Sequence, residues 1–261
     1  MDQLKQEVAT VKKIFRLSLS VLALALTTDG WAASGDGSCE EIWLRIERNT
    51  ALSQPLDKAK AMENLGSACL GDVAFQVRRV NYYLKARELD RAEGIIAASM
   101  VEKPNSPELQ ERLAEVVYLK GDLNKAEAIA SKLIQSAPTF AAPYLTLSSI
   151  AAQKRDWQST ERYQRKAFEL THTPLLLLPL VSALHQLDRH KEAVETAYRA
   201  LREDPNLISR SGGIDEAIYS LAALGRFDEA KRLIHRRMAA DPSWAQDATL
   251  VQAARRLAII D

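Results

Sequence analysis

Apolar and polar positions along the chain fall into five successive pairs, each an apolar segment, a short polar turn and a second, amphipathic segment. The second segments superimpose on a recurring small residue: ARELDRAEGIIAASMVEKP ends at Pro104, KGDLNKAEAIASKLIQSAP at Pro138, KRDWQSTERYQRKAFELTH at His172, LDRHKEAVETAYRALREDP at Pro205 and LGRFDEAKRLIHRRMAADP at Pro242. The closing residues lie 34, 34, 33 and 37 apart, and so regular a period predicts stacked helix hairpins. The upstream segments VAFQVRRVNYYLK, PELQERLAEVVYLK, APYLTLSSIAAQK, PLLLLPLVSALHQL and IDEAIYSLAALG predict the first helix of each pair. Gly121 or Gly225 marks a left-handed helix stop in two of the turns, where Arg87, Arg155 and Asp188 stand in the others. Within each second helix a bulky residue (Leu89, Leu123, Trp157, His190, Phe227) is followed three positions on by a small one (Ala92, Ala126, Thr160, Ala193, Ala230). A small residue there allows close helix approach, and the closing proline stops the helix running on.

Over 73–244 this pattern resembles the tetratricopeptide repeat family, of exported bacterial type, with units over about 73–106, 107–140, 141–173, 174–210 and 211–244. Departures are His172 for the closing proline, Thr160 for the small alanine, and no Trp near the start of any first helix; Gly212 and Gly213 read as part of a small insertion before Ile214. The resemblance implies an all-α solenoid of about five hairpins whose work is binding rather than chemistry. It also implies that a peptide or partner helix lies in a groove lined by the first helices. The register then selects Arg78, Asn81 and Lys85, then Glu111, Glu115 and Tyr118, then Leu145, Ser149 and Gln153, then Leu178, Ser182 and His185, then Asp215 and Tyr219. Such a groove is basic at its start, acidic next, then largely neutral. Of the Lys and Asn residues with which some family members clamp a terminal carboxylate, only Asn81 has a counterpart, and Glu111 and Glu115 would repel such a group.

The ends of the chain add three expectations. Lys12, Lys13 and Arg16 precede an apolar run from Leu17 to Leu26 and then Gly30-Trp31-Ala32, the order of a secretory signal peptide over 1–33 cleaved after Ala32 or Ala33. The run is short of the ~20 apolar residues of a membrane anchor, although an uncleaved N-terminal anchor is the alternative. No stable span is expected after cleavage, and Cys39 lies too far from the apolar run for lipidation. Residues 34–72 predict a helical hairpin, CEEIWLRIERN followed by PLDKAKAMENLGSAC. In an antiparallel hairpin the start of one helix lies beside the end of the next, so Cys39 and Cys69 are placed to form a disulfide; two buried free cysteines are the alternative. Residues 245–261 predict a capping helix, with Ala245, Ala248, Leu250, Ala253 and Ala254 covering the last hairpin.

Charged residues make up 26% and hydrophobic ones 47%, the balance of a folded chain, while the formal net charge of +1 offers no field for nucleic acid. Lys231-Arg232 and Arg236-Arg237 read as a basic, solvated helix face. Pro179, inside the leucine run 175–178, predicts a kink or a delayed helix start, with the leucines either buried or forming an apolar docking patch. The four histidines have no ligand spacing, two cysteines without CxxC make no metal site, and no phosphate loop or nucleophile elbow is present, so no metal, cofactor or catalytic residue is expected. The function expected is a non-catalytic scaffold of the cell envelope, in the periplasm, binding another envelope or exported protein and supporting assembly, secretion or polysaccharide machinery. Alternatives are a self-assembling structural solenoid forming homo-oligomers, a regulatory subunit, a cytosolic adaptor, and an enzyme of unrecognised motif.

Overall fold

The computed structural model describes residues 37–65, 69–210 and 212–256. The expected signal peptide and the end of the expected capping helix lie outside them. Thirteen α-helices and no strand occur among the described residues: α1 (Gly37–Arg48), α2 (Pro55–Leu65), α3 (Val73–Lys85), α4 (Leu89–Glu102), α5 (Pro107–Leu119), α6 (Leu123–Ser136), α7 (Ala142–Gln153), α8 (Trp157–Thr171), α9 (Leu177–Gln186), α10 (His190–Glu203), α11 (Ile214–Ala223), α12 (Phe227–Ala240) and α13 (Ala248–Arg256). Helices adjacent in the chain pack as pairs, the all-α solenoid class expected. The chain forms two compact units, the first ending at Ile150 and the second beginning at Ala151, within α7.

One turn chemistry recurs at all five pairs. Arg87, Gly121, Arg155, Asp188 and Gly225 have φ of 65, 94, 60, 57 and 70°. After each, the next N–H reaches back five residues: Glu88 to Tyr83, Asp122 to Val117, Asp156 to Ala151, Arg189 to Leu184 and Arg226 to Leu221, at 2.8–3.1 Å. One carbonyl per turn is satisfied this way and a second by the left-handed residue's own N–H, which reaches back three residues, and helix packing imposes the left-handed residue even where a side chain opposes it. Two of the helices that follow have a side-chain cap, and two others begin with an ion pair. Asp122 and Asp156 accept from Lys125 and Ser159 N–H at 3.0 Å, while Arg189 and Arg226 hold Glu192 and Glu229 at 2.6 and 2.7 Å.

In the first unit, α1 and α2 form a hairpin packed on α3. Cys39 and Cys69 are joined by a disulfide with Cα atoms 5.7 Å apart, and both are buried. α2 is described as far as Leu65, and Cys69 stands just before α3. Ile46, Met62, Phe75, Val80, Tyr83 and Ile96 form the core beneath the bond. Around it, Arg78 stacks on Trp43 with its guanidinium carbon 3.8 Å from the ring centroid and pairs with Glu40, and Tyr82 donates to Glu47.

In the second unit the departures from the repeat pattern are absorbed locally. Thr160 is buried with its hydroxyl donating to the Asp156 carbonyl at 2.8 Å, and His172 ends α8 in the left-handed conformation at φ 51°. Pro174–Leu176 form a 3-10 turn before α9, so Pro179 falls in the first turn of the α-helix, where its missing N–H is tolerated. Leu176, Leu177 and Leu178 are buried, which removes the apolar docking patch as an open surface. Of the expected capping residues, Ala253 and Ala254 are buried in α13, whereas Ala245, in the 3-10 turn before it, and Ala248, its first residue, are exposed; the side chain of Leu250 lies outside those described.

Gly213 has φ 69°, and a Cβ there would lie 2.6 Å from the Leu178 carbonyl oxygen. Gly121 has φ 94° with open space around it. Gly213→Ala is therefore expected to lower stability by about 1–3 kcal/mol, more than Gly121→Ala, which meets only the dihedral penalty. Urea unfolding midpoints of the two variants check this; equal losses would mean that Leu178 moves away freely.

Candidate functional site

On α5 of the first unit, Glu111, Arg112 and Glu115 are 1%, 4% and 5% exposed. The Arg112 guanidinium pairs with both carboxylates and donates to the Asn81 side-chain oxygen at 3.1 Å. Two buried acids thus share one cation. Burial pushes Glu115 up to about 7, with Glu111 adding to the rise and Arg112 opposing it; Glu111 is likewise raised by burial. Burial would lower Arg112, but the two carboxylates more than reverse this and keep it charged. The acidic stretch expected at Glu111 and Glu115 is therefore an internal ion cluster rather than an open surface. Arg78 is likewise engaged by Glu40 and Trp43, and Leu145 and Ser149 are buried, with Ser149 donating to the Leu145 carbonyl at 3.0 Å. Asn81 and Tyr118 remain part-exposed and Lys85 exposed. Burial raises the Tyr118 hydroxyl to about 12.

The raised Glu115 gives stability a pH dependence. The folded chain retains a proton that the unfolded chain releases near the ordinary glutamate value of 4.5. The contribution is full below that value and is lost as pH rises through about 7. Urea unfolding free energies are expected to fall across this window, with a shallower fall in Glu115→Gln; an unchanged slope in the variant would assign the dependence elsewhere.

In the second unit the basic run on α12 is divided. Arg232 and Arg236 are exposed, but Arg237 is 1% exposed. It meets Asp241 at 2.9 Å, Asp247 at 3.5 Å and Asp215 at 3.8 Å. Burial, then Glu216 and Asp247, push Asp215 up to about 7 against the pull of Arg237. Glu216 is raised by burial too, whereas Asp241, held by Ser243 and Arg237, falls to about 2. Asp215 accordingly belongs to a buried cluster rather than to an open groove. Leu178 and Ser182 are buried as well, and the Ser182 hydroxyl accepts the Gly213 N–H at 3.2 Å. His185 and Tyr219 are half-buried neighbours, 6.3 Å between ring centroids, with His185 Nδ1 2.9 Å from Ser220 Oγ; Gln153 is exposed. Burial, then the neighbouring His190, hold His185 below the usual imidazole range.

Similar solved structures share this arrangement of paired helices. YrrB, described as a TPR protein with an unusual peptide-binding site, matches with a TM-score of 0.54 and 15% identity over 76% of this chain and 96% of its own. The fold is that of tetratricopeptide repeat proteins. TTC0263, a thermophilic TPR protein of Thermus thermophilus, matches at 0.53 and 17% identity over 71% of this chain and 98% of its own. A chain of the Cut9–Hcn1 hetero-tetramer of the APC/C matches at 0.60 and 14% identity over 84% of this chain and 45% of that one. No protein-family model matches the sequence, and no curated protein matches it.

Within the tetratricopeptide-repeat fold, the register positions divide by exposure. Arg78, Asn81, Lys85 and Tyr118 in the first unit, and Gln153, His185 and Tyr219 in the second, are the polar side chains left at least partly open, Arg78 being held by Glu40 and Trp43. Sequence reasoning missed Arg112 and Arg237 as the cations of buried clusters. Arg237 carried a signal: it continues the buried stripe Ala230, Leu233, Ile234 at helical spacing and stands four residues before Asp241.

Proposed function

We propose that this chain is a non-catalytic scaffold that binds another protein through the open register face of its first helices. The observation that carries the reading is the set of partly open side chains on first helices of each unit, Asn81, Lys85 and Tyr118 on α3 and α5 in one and His185 and Tyr219 on α9 and α11 in the other. Tyrosine and histidine give contact area with few rotamers to freeze, and they stand beside fixed, buried ion clusters that hold the backbone of α5 and α11 in place. The peptide-binding site named for YrrB and the hetero-tetramer containing Cut9 are in keeping with such a role for the fold.

An exported location, with a partner in the cell envelope and a part in assembly, secretion or polysaccharide machinery, belongs to the same reading. The disulfide supports it, because such bonds persist in oxidising compartments. No helix among the described residues is long and apolar enough to cross a membrane.

Photocrosslinking in the host cell from Lys85, Tyr118 and His185, with Glu127 on α6 as control, tests the reading. One protein captured from all three positions and not from Glu127 is the expected result. Equal capture from Glu127, or adducts containing only this chain, would overturn it.

A further inference from the structure

Away from the register face, a cavity of about 640 Å³ opens in the first unit between the end of the hairpin and the outer side of α3 and α4. One wall is a stripe of α4, with Arg91, Ile95, Ala98 and Glu102 at helical spacing. The opposite wall carries Arg79 and Tyr83, and Leu70, 58% exposed, stands at the rim. Arg79 and Arg91 flank Tyr83, each guanidinium carbon 5.9 Å from the ring centroid. Arg79 is only 9% exposed; one nitrogen pairs with Glu63 at 3.1 Å, but its Nε–H has no hydrogen-bond partner. A buried guanidinium donor without an acceptor is costly, and a carboxylate is the group that satisfies it best.

We infer that this cavity is a second docking site, distinct from the register face, for an extended peptide segment carrying an acidic side chain followed by aliphatic ones. The acid reaches Arg79 and Arg91, and the aliphatic side chains lie over Ile95, Ala98 and Leu70. From Arg91 to Glu102 the stripe is ~16 Å long at the helical rise, the reach of about five extended residues. Glu63 already spans Arg79 and the Tyr83 hydroxyl, at 3.1 and 2.7 Å, and leaves the Arg79 Nε–H without an acceptor, while Arg91 is exposed and held loosely by Glu88, at 3.7 Å. Glu102, at the other end of the stripe, favours a basic residue there and sets the direction of the peptide. A plain apolar segment has no acceptor for the Arg79 donor and is not the ligand this site selects.

Calorimetric titration of the full chain with the pentapeptide acetyl-Glu-Leu-Ala-Leu-Lys-amide tests the site. Saturable binding is expected, weakened at least about tenfold when the glutamate of the probe is replaced by glutamine. Ala98→Trp, at an exposed helix position, fills the cavity and is expected to abolish binding; Arg91→Glu reverses the exposed charge and is expected to do the same. Lys85→Glu, on the register face, is expected to leave it unchanged. Absence of saturation, equal binding of the glutamine probe, or binding that survives Ala98→Trp would each overturn the proposal. Loss in Lys85→Glu together with survival in Ala98→Trp would place the probe on the register face, leaving the scaffold reading standing and this one refuted.

Discussion

Arg237→Ala is expected to lower the unfolding free energy by about 3–5 kcal/mol near neutral pH, the usual consequence of removing one partner from a buried charge cluster. Arg237 is the cation that meets Asp215, Asp247 and Asp241, at 3.8, 3.5 and 2.9 Å. Without it, the buried acids have two choices: to stay charged in a medium that solvates them poorly, or to take up protons. The second is easier as pH falls, and Asp215, already raised to about 7, is the first to follow it. The deficit should therefore be largest above that value and should shrink toward pH 5. Urea unfolding of wild type and variant at several pH values, followed by far-ultraviolet circular dichroism, measures it. A loss below about 1 kcal/mol, or a deficit independent of pH, would show that the cluster is solvated and that Arg237 does not hold it.

Opening the Cys39–Cys69 bond is expected to cost about 2–4 kcal/mol. The bond joins residues 30 apart in sequence, and both cysteines are buried against the core of the first unit. What remains to dock the hairpin is its apolar face and a set of part-exposed ion pairs, Lys58 with Glu47 and Arg78 with Glu40 among them, each worth about 1 kcal/mol or less where water reaches it. In Cys39→Ser/Cys69→Ser, Trp43 should lose the cover of Arg78, with a red-shifted emission and an unfolding midpoint below that of the oxidised chain. Equal midpoints with and without the bond would mean that the hairpin docks by packing alone.

The repeat register was legible because helix pairing constrains the small and bulky positions strongly: Ala92, Ala126, Ala193 and Ala230 are all buried where the pattern places them. The disulfide followed from hairpin geometry for the same reason. The character of the register face was harder to read. Carboxylates such as Glu111 and Glu115, at helical spacing and beside an arginine, look the same in sequence whether they face water or a buried guanidinium. Only the neighbours in space, Asn81 and Thr146 on other helices, distinguish the two cases. Arg237 was concealed by its company, since Arg236 beside it is exposed. The cavity at Arg79 left no mark in the repeat pattern, because it depends on the hairpin that precedes the first repeat.

The five inter-helix turns also have a consequence for chirality. At each, the backbone takes the hand natural to a D-amino acid, and an L-residue tolerates it only because the flanking helices insist. At Gly121 and Gly225 nothing stands within 4 Å of an added L-configured Cβ, so an L-residue is opposed there by handedness and not by crowding. A D-alanine introduced there by chemical ligation would restrict the unfolded chain while matching the folded one, which makes these two turns mirror-image positions in an otherwise L-handed molecule.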